Sequence, residues 1–266
     1  LLALDADLEG TLPRVRQGDD KEAIHDMRVA IRKLRTILKF ARPVYGRFHA
    51  DVVRRAFADL QRATGALRDE EVLEETFTDA GVKDPAFAAF VQRRRARERV
   101  LRKAALALLD DGSVDRARRL LAALVLLPVK PRRDVPAHAF AERCVAQAQK
   151  GVRSRSDAAP GDGEALHELR IAYKQLRYAL DIFAEVLPPE AAARAKEAAA
   201  YQKRLGELHD LDVALDVLGR ARSLPPATRA RADKALRARR VDALGRYLVL
   251  QVTPREASRS GKSPPS

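Results

Sequence analysis

The sequence predicts an all-α protein: two helical bundles related by an internal pseudo-two-fold repeat, with a basic central groove. Three observations carry this expectation. A cationic amphipathic stretch occurs twice in the chain. The segments that follow it recur at almost the same spacing. No segment shows the period-2 alternation of a half-buried strand.

The first copy of the stretch is Glu22–Pro43, EAIHDMRVAIRKLRTILKFARP, and the second is Glu164–Pro188, EALHELRIAYKQLRYALDIFAEVLP. His25, Arg28, Arg32 and Arg35 recur as His167, Arg170, Lys174 and Arg177, and 167 − 25, 170 − 28, 174 − 32 and 177 − 35 all give 142. On a helix these positions fall within an arc of roughly 80°, so each copy sets one histidine and three cations on one face. Lys33 and Lys39 add further positive charge to the first copy. The apolar positions repeat on a separate arc, as Ile24/Leu166, Met27/Leu169, Ile31/Tyr173, Leu34/Leu176, Leu38/Leu180 and Ala41/Phe183. A solvated face ordinarily mixes both signs of charge; this one is almost purely cationic.

The repeat extends beyond one helix. GALRDEEV, Gly65–Val72, is matched by GELHDLDV, Gly206–Val213, at 206 − 65 = 141. At the same offset Arg55, Gln61 and Arg62 correspond to Lys196, Gln202 and Lys203, and Arg68 to His209. The spacing reads as a helix pair with its turn, and the one-residue change in offset as a loop deletion.

In chain order, Leu1, Leu4 and Leu8 predict a helix that Gly10 and Pro13 would end. Asp20 and Asp162 stand as N-caps of the two basic helices, which puts His25 and His167 near helix N-termini, where an anion is favoured. Arg47–Gly65 reads as the next helix. Asp84-Pro85 opens a long helix to about Asp110, and Pro225-Pro226 opens its counterpart. Ser113–Leu127 is helical, LPVKPRRDVP (Leu127–Pro136) is the boundary between halves, and Ala137–Arg153 is the first helix of the second half. The repeats are thus expected at about 1–127 and 137–252 of one domain, with a disordered tail over 253–266.

Composition bounds the function. The 266 residues are enough for a sizeable core. The net charge of +14 points to a polyanionic partner, whether nucleic acid, anionic membrane or polyphosphate. Aromatics are 5% and tryptophan is absent, which weakens readings that need stacking platforms for bases. The single Cys144 forms no internal disulfide, in keeping with a reducing, cytoplasmic setting. No apolar run approaches a membrane span and no signal peptide is visible. The chain begins at Leu1 rather than Met, which leaves room for an upstream domain.

The doubled pattern H-x-x-R-x-x-x-[KR]-x-x-R, each copy followed by G-x-L-[RH]-D, resembles the conserved histidine α-helical domain, or CHAD, family. The resemblance covers nearly the whole chain before the tail. It implies two helical bundles with pseudo-two-fold symmetry around a basic pore, and binding of inorganic polyphosphate. Its motifs fall on His25, Arg28, Arg32 and Arg35, and on His167, Arg170, Lys174 and Arg177. His209 in place of Arg68, and Gln175 in place of Lys33, suggest the second half as the weaker binder.

The candidate polyphosphate-binding set is therefore His25, Arg28, Arg32, Lys33, Arg35, Lys39, Arg55, Arg62, Arg68, His167, Arg170, Lys174, Arg177, Lys196, Lys203 and His209. Arginine offers a planar fork to phosphate oxygens and lysine a mobile point charge. Arg28 and Arg35 lie about 10 Å apart along the axis, which suits an extended polyanion better than one small phosphate. The bland reading of the cations is a solvated basic face, and that of the histidines is packing within the bundle. The arginine-rich run Arg93–Arg99 reads as a solvated face, and Asp69 and Asp210 as caps or ion-pair partners. No catalytic residue, metal ligand or cofactor is assigned: phosphate-binding glycine loops, a Ser-His-Asp set and an E-x-E-x-K signature are all missing from the sequence. The reading is a non-catalytic module that binds inorganic polyphosphate, in the cytoplasm or at polyphosphate granules. The rivals are a helical protein that binds nucleic-acid backbone and an accessory domain of a polyphosphate or triphosphate hydrolase.

Overall fold

The computed structural model describes residues 1–18, 20, 22–127 and 136–257, and every regular element among them is a helix. In order these are α1 (Leu2–Gln17), α2 (Ala23–Phe40), α3 (Arg42–Tyr45), α4 (Arg47–Ala63), α5 (Gly65–Asp79), α6 (Pro85–Asp110), α7 (Ser113–Leu126), α8 (Ala137–Arg153), α9 (Gly163–Ile182), α10 (Ala191–Gly219) and α11 (Pro226–Ala257). Most of the boundary segment expected at Leu127–Pro136 lies outside the described residues, as does 258–266 of the expected tail. The helix α11 extends to Ala257, past the residue where that tail was expected to begin.

The chain divides into two compact units. Unit 1 comprises Leu1–Val72, Arg93–Val145 and Tyr178–Pro188; unit 2 comprises Leu73–Gln92, Ala146–Arg177 and Pro189–Ser266. This division differs from the halves drawn from the repeat. Residues 73–92 of the first half count with unit 2, and 137–145 and 178–188 of the second half count with unit 1.

Unit 1 closes around Leu8, Leu12 and Val15 of α1, Ile24, Met27, Ile31, Leu34 and Leu38 of α2, and Val53, Phe57 and Leu60 of α4. Leu67, Leu109, Leu121 and Leu124 complete that core. The i, i+3, i+4, i+7 spacing of the α2 set is what places its apolar arc inward and its cationic arc away from the core. The helix α1 does not stop at Gly10 or Pro13. It runs to Gln17 and ends at Gly18, whose φ of 78° is the left-handed C-cap conformation that glycine adopts without strain. Burial of Leu12 and Val15 outweighs the one backbone hydrogen bond that Pro13 removes. Pro43 stands in the first turn of the short α3, which follows α2 directly.

Unit 2 buries Leu166, Leu169 and Ala172 of α9, Ala198, Leu205, Leu208 and Leu211 of α10, and Leu236, Ala243 and Tyr247 of α11. Tyr173 stacks on Tyr201, with ring centroids 4.5 Å apart and planes 4° from parallel. Phe77, Phe87 and Phe90 form a second aromatic cluster. Two of the expected caps are present, at Asp162 and Asp84, and the third, Asp20 on α2, is not. The Asp162 carboxylate accepts from Ala165 N at 2.9 Å at the start of α9, and Asp84 accepts from Ala86 N at 2.8 Å and Phe87 N at 3.2 Å at the start of α6. Asp20 accepts instead from Glu22 N at 2.8 Å, bracing the turn before α2, and is itself gripped by Arg14 at 2.6 Å.

One expectation is corrected. The matched glycine segments are not turns. Gly206 lies inside the unbroken α10, and Gly65 begins α5 directly after a break at Thr64. Position 205 carries Leu205, a buried apolar residue that lets α10 continue, where the first copy has Thr64. The Thr64 hydroxyl bonds back to Leu60 O at 3.0 Å, and the regular helix is interrupted there.

Candidate functional site

Unit 1 gathers six of the expected residues with one that the sequence reading missed. On α2, His25, Arg32 and Arg35 are half-buried and Arg28 is buried, with 8% of its surface exposed. The charge of Arg68 on α5 acts on both His25 and Arg28. Arg54 and Arg62 of α4, with Arg32, act on Arg35. Arg54 is the addition. Its sequence signal is Asp51 three residues earlier, which pairs with it at 3.1 Å and with Arg42 at 2.7 Å.

The electrostatics are those of like charges held together. Burial lowers the affinity of Arg35 for its proton, and Arg54, Arg62 and Arg32 lower it further. Burial followed by Arg32 pushes Arg28 down to about 10, with Asp69 opposing. Burial, Arg68 and Arg32 hold His25 below the usual histidine range, against the weaker pull of Glu22 and Asp26. Several of the cations have acidic partners: Arg62 with Asp59 at 3.1 Å and Arg68 with Glu71 at 3.1 Å. Among the described residues, no carboxylate lies within ion-pair distance of Arg32 or Arg35. Arg32 Nε donates to the Tyr178 hydroxyl at 3.1 Å, and Arg35 Nε is buried without a hydrogen-bond partner.

Arg28 does different work. Its Nη1 donates to Gln61 O at 2.7 Å and to Thr64 Oγ1 at 2.7 Å. With the Gln61 amide turned so that its oxygen faces the guanidinium, Nη2 donates to that oxygen at 3.1 Å. Gln61 O is a carbonyl freed by the helix break, so Arg28 caps the end of α4 from the neighbouring helix. It is a brace at the α4–α5 joint rather than an open binding group. Lys33 is half-buried, while Lys39 and Arg55 stand exposed.

The arginine run on α6 is also not a plain solvated face. Glu70, 4% exposed, accepts from Arg94 at 3.0 Å and pairs with Arg97 at 3.4 Å. Arg102 pairs with Glu71 at 3.0 Å and Glu98 at 2.6 Å. These pairs tie α6 to α5 and hold Arg68 through Glu71. A buried Glu70 could not be anticipated from the run itself, because its partners lie 24 and 27 residues away (94 − 70 and 97 − 70).

In unit 2, α9 carries His167, Arg170, Lys174 and Arg177, all half-buried, and α10 carries His209, also half-buried. Lys196 and Lys203 are exposed on α10. His167 Nδ1 and His209 Nδ1 face each other at 3.0 Å, with ring centroids 4.3 Å apart. The site's second copy thus places a histidine against a histidine, where the first copy sets His25 in the field of Arg68. Burial, then Arg170, His167 and Lys174, push His209 down to about 4, against the pull of Asp212. Burial and Arg170 hold His167 low as well.

Both histidines are therefore neutral in the folded protein near neutral pH, whereas in the unfolded chain each protonates near pH 6.5. Below that value the unfolded state binds more protons. Stability present above pH 6.5 is lost as the pH falls toward 4. Thermal unfolding followed by circular dichroism is expected to show a falling Tm across that window, and His209→Gln is expected to flatten it. The window lies above the range in which Asp20, Asp51 and Asp84, held low by their arginine partners, take up protons.

Among the described residues, no group of three or more His, Cys, Asp or Glu side chains is placed to hold a metal ion, and no helix is long and apolar enough to cross a membrane. Cys144 is buried and its thiol is pushed up to about 11 by desolvation, which holds it in the protonated form near neutral pH.

The fold and site define an all-helical protein with a histidine-bearing cationic helix in each of two units. The chain belongs to the CHAD family: the family model of the CHAD domain matches residues 3–219. The crystal structure of the CHAD domain from the plant Ricinus communis has a TM-score of 0.71 and 26% identity, covering 92% of this chain and 87% of that one. The fold is shared with PptA from Streptomyces chartreusis, at a TM-score of 0.64 and 15% identity, covering 97% and 95% of the two chains. An uncharacterized protein of Mycobacterium tuberculosis, MT2285, is 29% identical over 185 residues, or 62% of this chain. The present chain spans only 35% of the length of that relative.

Proposed function

We propose that this chain is a non-catalytic module that binds inorganic polyphosphate through the cationic helix faces of α2 and α9. The observation that carries the reading is the placement of Arg32 and Arg35. Both guanidinium groups are half-buried, Arg54, Arg62 and Arg32 all act on Arg35, and among the described residues no carboxylate lies within ion-pair distance of either. Holding like charges in a partly desolvated site destabilises the free protein, and a chain of phosphates would offset that repulsion. A guanidinium fork donates to two phosphate oxygens at once, and spaced forks along a helix suit a linear polyanion with a charge on every unit. The family membership points the same way. On this reading the module sits wherever polyphosphate accumulates, including cytoplasmic granules, and adds affinity rather than chemistry to any protein it belongs to.

The reading is tested by melting the protein with long-chain polyphosphate and assaying the polymer afterwards. Binding to the folded state is expected to raise the Tm with polymer concentration, by about 2.7 kcal/mol of stability at one hundred times the dissociation constant. The polymer is expected to remain intact with or without magnesium. Metal-dependent release of phosphate would assign the chain to hydrolysis instead.

A further inference from the structure

Of the positions at which the two copies of the site differ, one exchanges a permanent cation for a titratable group. Arg68 beside His25 is a permanent cation. His209 beside His167 is titratable, and the two rings are in direct contact through Nδ1 and Nδ1 at 3.0 Å. Two neutral imidazoles can make that contact in only one way: one Nδ1–H donates and the other Nδ1 accepts. The donating ring then has a free Nε2. A single proton added there creates an imidazolium and leaves the Nδ1–H···Nδ1 hydrogen bond intact, now charge-assisted. A second proton would set two N–H groups against each other and break it. The pair is thus a site for one proton.

The groups around the pair determine when that proton arrives. Arg170 and Lys174 of α9 act against it on both rings. Glu168 of α9 favours it at His167, but Arg155 engages that carboxylate at 3.4 Å. Asp212 of α10 favours it at His209, but Arg240 of α11 holds both oxygens of that carboxylate. Both acids that could stabilise an imidazolium are therefore already neutralised by arginine, and the pair stays uncharged in the free protein. A polyanion seated on Arg170 and Lys174 reverses the sign of the local field.

We infer that unit 2 binds polyphosphate together with a proton, which is taken up by the His167–His209 pair, so that its affinity rises as the pH falls. This inference rests on the proposed function. Unit 1 carries a permanent cation, Arg68, in the equivalent place. The protein then holds polyphosphate more firmly in an acidified compartment than at neutral pH. By linkage, full uptake of one proton makes affinity change up to about tenfold per pH unit.

The test is calorimetric titration with long-chain polyphosphate, whose weakly acidic end groups are a small fraction of its phosphates. Run at pH 6.5 in buffers of different ionisation enthalpy, it counts the protons taken up. The wild type is expected to take up close to one proton. His209→Arg, which restores the residue type of the first copy, is expected to bind with much less uptake and with weaker pH dependence. The histidine ring resonances of the wild type, followed by NMR through a pH titration with and without the polymer, give the same answer independently of any variant's folding. Those of His167 or His209 should titrate at higher pH in the complex. Binding without proton uptake, or with unmoved ring titrations, overturns the inference and leaves polyphosphate binding standing. No binding at any pH would overturn the proposed function itself, and the inference with it.

Discussion

Arg28→Ala is expected to lower the stability of the protein by on the order of 2–3 kcal/mol, the cost of leaving buried hydrogen-bond acceptors without a charged donor. Arg28 belongs to the motif that reads as a phosphate-contacting face, yet its guanidinium is buried and committed to Gln61 O and Thr64 Oγ1. Removing it strands the carbonyl that the helix break exposes and loosens the joint from which α5 carries Arg68. Thr64→Val removes one acceptor without changing charge and is expected to cost about 1–2 kcal/mol. The double variant should lose less than the sum, because the two residues share one interaction. Urea denaturation of the four proteins reads the coupling. An Arg28→Ala protein as stable as the wild type, but with reduced affinity for polyphosphate, would show that the side chain is a ligand contact and not a brace.

The second large effect is expected on binding. Arg32→Ala with Arg35→Ala should weaken polyphosphate binding by about tenfold or more and flatten its salt dependence. Each contact to a flexible polyanion contributes a slope of roughly 0.7 in the logarithm of affinity against the logarithm of salt. Stability should change little or rise, because the two substitutions relieve repulsion among Arg32, Arg35, Arg54 and Arg62. Arg116→Ala with Arg119→Ala is the matched control. It removes the same charge from exposed positions on α7, which act on a bound polymer only through a screened field. The α6 arginines are unsuitable for that purpose, since Arg94 and Arg97 hold the buried Glu70. Equal losses in the two double variants would mean that net charge alone drives association.

The helices that position the site were legible because their cause is local. The apolar spacing of Ile24, Met27, Ile31, Leu34 and Leu38, and the caps Asp84 and Asp162, act within a few residues. What was not legible depends on partners far along the chain. The helix α1 passes through Gly10 and Pro13 because Leu12 and Val15 are buried in a core supplied by α2, α4 and α7. The Gly65 and Gly206 segments match in sequence, but a single hydroxyl at Thr64, answered by Arg28, separates α4 from α5 where Leu205 lets α10 continue. Arg28 itself gave one faint signal. It lies four residues after Ile24 and one after Met27, at the edge of the apolar arc. Lys39, Arg55, Lys196 and Lys203 share the periodicity of the site but stand exposed, and helical phase alone does not separate a gathered cation from a solvated one. The histidine pair was visible only as a substitution, His209 for Arg68, whose meaning depends on the 3.0 Å contact.

We propose that this chain recognises a polyphosphate backbone through guanidinium groups placed for it, not polyanions in general. The most direct measurement is titration with inorganic polyphosphate and with duplex DNA at matched phosphate concentration and salt. Markedly tighter binding of polyphosphate is expected, because its flexible chain can follow closely spaced cations on a single helix face. Equal or tighter binding of duplex DNA would contradict it and make the chain a binder of nucleic-acid backbone.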